Sequence, residues 1–326
     1  MTRWLSQAVF GLALVLFSAS AQAEATVTLH TPGPTDGAWG KVFRAWSNVV
    51  AKKTDGAVQL KPVYNGELGA EQAVIEAVKK GKEGGGFFTT RGLTQLDKSV
   101  LALQVRGAYD SWAEFDAARG RIEADLIQAW QRQNVELVGW ADVGIGRFMS
   151  RGFAVTVPSS LAHKKVAVFD GDVISPKMLD AIQGTSPVVL DIDAVLGGLE
   201  RKQVDVVAAP AYAAEQLGWT SRLDHLNTRP LFFAAGAVVM SQRRLEQMTE
   251  EQRALVLATG KRAAEMLDKK LDAMGYRSYD RLKANLQTHS PTKPELDAWK
   301  HVFDQACSKL SATIPKAALE KTRACP

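Results

Sequence analysis

Cysteine is scarce in this chain, and its scarcity narrows the chemistry available. Only Cys307 and Cys325 occur among 326 residues, both near the C-terminal end. Two isolated cysteines make a poor metal site, and thiol–disulfide catalysis calls for a close pair such as Cys-x-x-Cys. Histidine is scarce as well. His30, His163, His225, His289 and His301 lie far apart, none has a partner at metal-ligand spacing, and each reads as a surface or loop side chain. The Gly-x-Ser-x-Gly elbow, the His-Glu-x-x-His helix and the phosphate-binding loop are all missing. Gly144-x-Gly146 lacks the third glycine and the following acid of a dinucleotide fold. Carboxylate pairs of the glycosidase type are compatible with many sequences, and this one singles out none. No catalytic residue, metal or cofactor is therefore expected. An excess of one charge is lacking too: 40 Lys and Arg against 35 Asp and Glu leave +5, with the basic residues scattered. Such a surface offers no nucleic-acid stripe.

Beyond the start of the chain, segments apolar and long enough to cross a bilayer are lacking. Arg3 precedes an apolar stretch from Ala8 to Ala19, which leads into Ala21-Gln22-Ala23. A basic start, a short apolar run and a small-x-small site describe a secretory leader, and the run is well short of the ~20 residues that span a bilayer. The expected leader covers residues 1–23, the expected mature chain begins near Glu24, and the expected location is the periplasm. Losing Arg3 lowers the formal charge from +5 to +4. In an oxidising compartment, Cys307 and Cys325 read as one disulfide clamping the tail, a loop closure that contributes about 3 kcal/mol. The remaining ~300 residues suit two lobes better than one core.

Periodicity gives the organisation. Thr26–His30 alternates as a strand, and Trp39, Val42, Phe43, Trp46, Val49 and Val50 recur at helical spacing, with Thr35 or Asp36 as the expected cap. A strand over Ala57–Tyr64, a helix over Glu71–Lys80 and a strand at Phe87-Phe88 complete a β-α-β-α-β order, which argues for a parallel sheet covered by helices. A second such unit follows. It comprises a helix over Trp112–Gln133, strands at Val135–Trp140, Lys165–Phe169, Pro187–Leu190 and Val204–Ala208, and helices near Pro176–Ile182 and Ile192–Lys202. Leu231–Met240 reads as one buried strand returning to the first unit. Thr249-Glu250-Glu251-Gln252 is a capping box opening a long helix toward Met274, and Pro294–Leu310 is the last substantial helix. The expected division is 24–147 with about 231–262 for one lobe, and 148–230 with about 263–326 for the other.

Trp39-Gly40-Lys41, Val63-Tyr64-Asn65-Gly66-Glu67-Leu68-Gly69-x-Glu71, Ile75 to Gly81, Val138-Gly139-Trp140, Gly146-Arg147 and Met248-Thr249-x-Glu251-Gln252 together resemble the substrate-binding proteins of tripartite ATP-independent periplasmic (TRAP) transporters. The resemblance spans nearly the whole expected mature chain. It implies an α/β periplasmic-binding-protein fold with mixed sheets, crossing hinge segments and a long helix spanning both lobes. It also implies a monomer that captures a small molecule and delivers it to a membrane permease. Two departures stand out. Ala167, in Lys165-Val166-Ala167-Val168-Phe169, occupies the place of the carboxylate-binding Arg. Val204-Asp205-Val206-Val207-Ala208-Ala209-Pro210 replaces a polar Asp-Gly-x-Glu-Asn-Pro run. A ligand less anionic than the organic acids usual in the family is expected, held by the receptor or by a related sensor or carrier. Arg91, Arg106, Arg147 and Arg151 lie in or near loops, where an Arg can fork onto a carboxylate, and Arg147 is the expected anion partner unless Asp170 or Asp172 holds it. Strand ends converge on such clefts. The expected lining is therefore Gly33 to Trp39, Thr89, Thr90, Arg91, Tyr109, Trp112, Arg147, Phe169, Asp170, and Ala209 to Tyr212.

Overall fold

The computed structural model describes residues 25–325; the expected leader over residues 1–23 lies outside them. Among the described residues, the strands in chain order are β1 (Ala25–His30), β2 (Val58–Val63), β3 (Gly85–Thr89), β4 (Val135–Trp140), β5 (Gly144–Ser150), β6 (Lys165–Phe169), β7 (Ser186–Leu190), β8 (Val206–Pro210), β9 (His225–Asn227), β10 (Phe232–Ala234), β11 (Gly236–Ser241) and β12 (Gln287–His289). They form two mixed sheets. The first runs β2-β1-β3-β11-β4; the second runs β12-β9-β5-β8-β6-β7, with β10 beside β5. β1, β2 and β3 are parallel, as the β-α-β-α-β order requires, while β11 enters antiparallel between β3 and β4. Helices flank both sheets, which is the two-lobed α/β architecture.

The apolar stretch Leu231–Met240, expected as one strand, is two. β10 pairs with β5 in the second sheet and β11 pairs with β3 and β4 in the first. The break falls at Ala235, where the chain changes sheets. Alongside it, β4 passes into β5 through residues 141–143, so residues 144–147 and 232–234, expected in the first lobe, pair within the second sheet. The two crossings bond to each other: the Ala141 amide donates to the Gly236 carbonyl at 2.9 Å, and the Val143 amide to the Ala234 carbonyl at 2.8 Å. They form a two-stranded ribbon between the sheets.

The third crossing is the helix Glu250–Asn285. Thr249 and Gln252 cap it reciprocally, as expected, but its 36 residues run well past Met274, about 54 Å at 1.5 Å per residue. Val256, Ala263, Ala264, Leu267 and Leu271 pack in the first core, and Leu282 and Tyr279 against the second. The helix Ala38–Lys53 begins one turn residue later than expected. Its N-cap is Gly37, without a side-chain bond, in place of Thr35 or Asp36. The Gly37 amide instead bonds the Pro34 carbonyl, and the chain turns so tightly that a Cβ on Gly40 would sit 2.2 Å from the Thr35 carbonyl oxygen. At the other end of the chain, Cys307 and Cys325 are joined in a disulfide, with Cα atoms 5.6 Å apart.

His30 corrects the expectation that every histidine is a surface or loop residue. It ends β1 at 1% exposure, its ring stacked 5.1 Å from that of Phe88, and neither ring nitrogen has a partner. Burial lowers its pKa from 6.5 to about 4. The unfolded chain therefore takes a proton that the folded protein refuses. The stability associated with neutral His30 is fully present above the unfolded pKa and is lost as pH falls from 6.5 toward 4, by up to about 3 kcal/mol. His30→Leu is expected to flatten that slope. Urea titrations of both proteins near pH 7.5 and pH 4.5 check it; parallel losses of stability would contradict the assignment.

Candidate functional site

Between the two sheets lies a cavity of about 590 Å³, within the range of small-molecule sites. Its floor is the crossing ribbon, through Val143, Ala234 and Ala235. One wall comes from the end of β3 and the helical turn Thr90–Leu93, and the opposite wall from the loop after β6 and the end of β8. Most of the surface is apolar: Leu101, Phe169, Ile174, Ile192, Ala209, Pro210, Ala213, Leu217, Trp219 and Phe232 face the space. Trp219 and Phe169 support one another, ring centroids 5.7 Å apart.

Besides threonines, glutamines and Lys98, the polar lining holds two arginines paired with carboxylates. Arg106 is 6% exposed and stacks 4.0 Å from the centroid of Phe232. Its Nη2 donates to Asp172 Oδ2 at 2.8 Å and to Ser175 Oγ at 2.9 Å, its Nε to Ser175 Oγ at 3.2 Å, and its Nη1 to the Gln104 carbonyl at 3.1 Å. Asp172 is fixed independently, because its Oδ1 accepts from the Ile174 and Ser175 amides at 2.9 and 3.0 Å. Burial alone would raise the Asp172 carboxyl. The Arg106 charge and the Ser175 and backbone bonds outweigh burial and hold it below its ordinary value. Arg91 is more open and donates to Asp170 Oδ2 at 3.3 Å. The turn that carries Arg91 is organised by Glu71, whose Oε2 accepts from the Thr89 hydroxyl at 2.8 Å and from the Thr89 and Gly92 amides at 3.0 Å. Burial raises the Glu71 carboxyl despite those bonds.

Of the residues expected to line the cleft, Thr89, Thr90, Arg91, Phe169, Asp170 and Ala209 do face this cavity. Pro210, within the expected Ala209 to Tyr212 segment, faces it as well, and the remaining expected residues lie elsewhere. Gly33 sits under the Trp39 ring, where a Cβ would be 2.6 Å from Trp39 Cε3. Trp39 packs between Phe87 and Tyr212, with Tyr212 buried. Tyr109 is a core residue whose hydroxyl donates to the Ala102 carbonyl at 2.9 Å. Trp112 and Arg147 line a separate cavity of about 240 Å³ beside the long helix. The strand's two-residue period puts Arg147 on the same face as Ile145, turned toward that helix. There its guanidinium lies 4.0 Å from the Tyr279 ring, and its Nε donates to the Thr228 carbonyl at 3.0 Å. Asp170 and Asp172, expected as possible partners of Arg147, engage Arg91 and Arg106 instead. The sequence separations of 79 and 66 residues gave no local sign of either pair. Ala167 is 7% exposed and packs among Met149, Val195, Leu199 and Val207.

Residues 30–313 match the family described as bacterial extracellular solute-binding protein, family 7. A solute-binding protein of Sulfitobacter sp. (strain NAS-14.1) is 20% identical over 257 residues, 77% of this chain and 76% of its own. Among solved structures, a TRAP periplasmic solute-binding protein from Sulfitobacter sp. NAS-14.1 with bound β-D-galacturonate superposes with a TM-score of 0.80 at 16% identity, over 92% of this chain and 98% of that one. Another from Sulfurospirillum deleyianum, with bound succinate, gives a TM-score of 0.78 at 18% identity, over 93% and 100%. Proteins of this family bind solutes and are not enzymes. The family match covers most of the chain and the two-lobed fold agrees with it, so this protein belongs to the family 7 bacterial extracellular solute-binding proteins.

Proposed function

We propose that the protein captures a small, uncharged or zwitterionic, largely apolar molecule in the cavity between its sheets and delivers it to a TRAP-type permease. The observation that carries this reading is that both arginines of the cavity wall already have carboxylate partners, Asp170 and Asp172, inside the protein. The rest of the wall is aromatic and aliphatic on the side of β6 and β8, with uncharged polar groups such as Gln72, Thr89, Thr90 and Gln95 on the side of β3. An ionised ligand would lose its hydration there, and the remaining cation of the lining, Lys98, is exposed to solvent. The two lobes, one around each sheet, would close on the ligand by bending the crossing segments. A periplasmic sensor or carrier would use the same cavity with a different partner. The reading places the working protein in the periplasm as a monomer.

Calorimetry with succinate and D-glucuronate tests the ligand class. Neither is expected to bind more tightly than about 10 μM, a free energy of about −7 kcal/mol; a tighter complex with either would overturn the reading. Native mass spectrometry of gently purified protein is expected to find a co-purified neutral compound.

A further inference from the structure

We infer that Asp170 and Asp172 determine the charge of the ligand by acting as built-in counter-ions for the cavity's arginines. The inference rests on the proposed receptor role and adds the residues that set selectivity. The charged side chains facing the cavity are Arg91, Lys98, Arg106, Asp170 and Asp172. Lys98 and Asp170 are both exposed, whereas Arg106 is buried against Asp172, so the lining carries three cations and two anions, with the deeper pair balanced. Both carboxylates come from one short loop after β6, and both arginines come from the facing wall. Between the two aspartates, Gly171 adopts φ +79°, the left-handed turn that favours glycine. A Cβ there would stand 3.4 Å from Gln72 Nε2 and 3.7 Å from Arg91 Nε. The loop thus carries one carboxylate to each arginine.

The pairs differ in exposure. The Arg106 and Asp172 side chains are 6% and 16% exposed, those of Arg91 and Asp170 29% and 62%. An incoming carboxylate must displace Asp172, which its own backbone bonds hold in place, or bring a second anion against it. Either course is unfavourable in a water-poor wall. A ligand with hydroxyl or amide groups meets no such opposition.

Asp172→Asn tests this, because asparagine keeps an Oδ1 acceptor for the Ile174 and Ser175 amides while removing the charge. This variant is expected to melt earlier than the wild type and to be restored by succinate or D-glucuronate. Its affinity for one of these anions should exceed the wild type's by roughly 10- to 100-fold, the worth of one charge-assisted bond. Asp170→Asn, at the exposed pair, is expected to fold normally and to show a smaller gain through Arg91; it decides the matter alone if Asp172→Asn does not fold. The double variant Arg106→Gln/Asp172→Asn is expected to lose the gain. Folded single variants with no more affinity for either anion than the wild type would overturn the inference, as would a gain that survives in the double variant. Tight anion binding by the wild type would instead overturn the proposed function, so the two failures are distinct.

Discussion

Gly260→Leu is expected to lower stability by roughly 3 kcal/mol or more, a fall in melting temperature of about 5 °C or more for a chain of this size. Gly260 lies where the long helix presses against both the helix Ala38–Lys53 and β4. A Cβ there would stand 2.6 Å from Trp46 Cζ2 and 2.6 Å from Val138 Cγ1. Neither neighbour can give way easily. Trp46 is 2% exposed and its Nε1 is tied to Thr259 Oγ1 at 3.1 Å, while Val138 is fixed in the sheet. Gly139 repeats the close approach, since its Cβ would be 2.8 Å from that of Ala264. Gly275→Ala in the same helix is the matched control. Nothing lies within 4 Å of its Cβ position, so this change should stabilise by about 0.5–1 kcal/mol through helix propensity. Differential scanning calorimetry of the two variants checks the pair; equal melting temperatures would show that packing at Gly260 is not limiting.

Ala167→Arg is expected to cost roughly 3–5 kcal/mol and to confer no binding of succinate. The substitution restores the residue type usual in the family, but here the side chain would enter the cluster of Met149, Val195, Leu199 and Val207. That cluster is made of apolar side chains, so the guanidinium would be desolvated there or would force the strand out of register. Making the Ala208–Ala209 segment polar as well should recover part of the loss, because one buried charge needs several partners. Guanidinium denaturation with parallel calorimetry measures both effects. Ala167 shares a strand face with Phe169, which lines the cavity, so a variant that kept wild-type stability and bound succinate would show that the guanidinium reaches the ligand along that face.

What could be read from the sequence depended on how local each signal was. Thr249 and Gln252 announce the long helix because a capping box is completed within four residues. Its far end was not legible, because Gly275 reads as a stop after Met274. The packing of Tyr279 and Leu282 on the second sheet outweighs the ~1 kcal/mol that a glycine costs a helix. The apolar run Leu231–Met240 conceals its break for a related reason: Phe233, Ala235 and Ala237 are all fully buried, so composition does not change where the partner sheet changes. Gly236 is the one mark, since a Cβ there would lie 2.5 Å from Phe87 Cζ and 2.6 Å from the Ala141 carbonyl oxygen. Strand ends account for the expected residues that face the cavity, at Thr89 to Arg91, Phe169, Asp170 and Ala209. Tyr109 and Tyr212 looked equally suitable, because an aromatic beside a loop reads the same whether it faces a core or a cavity. The Arg106–Asp172 pair needed the fold itself.

The place of β11 in the first sheet also sets an order of events in time. β1 to β4 are all made by residue 140, yet β3 and β4 are not neighbours; the slot between them is filled only by Gly236–Ser241. A nascent chain that has reached Ala235 therefore has both facing edges of that slot open, with Phe87 and Leu137 beside them. Such edges invite wrong pairings, and pairing across so long a loop is slow. The first lobe, though it starts at the first strand, is finished only after nearly all of the second sheet has been synthesised.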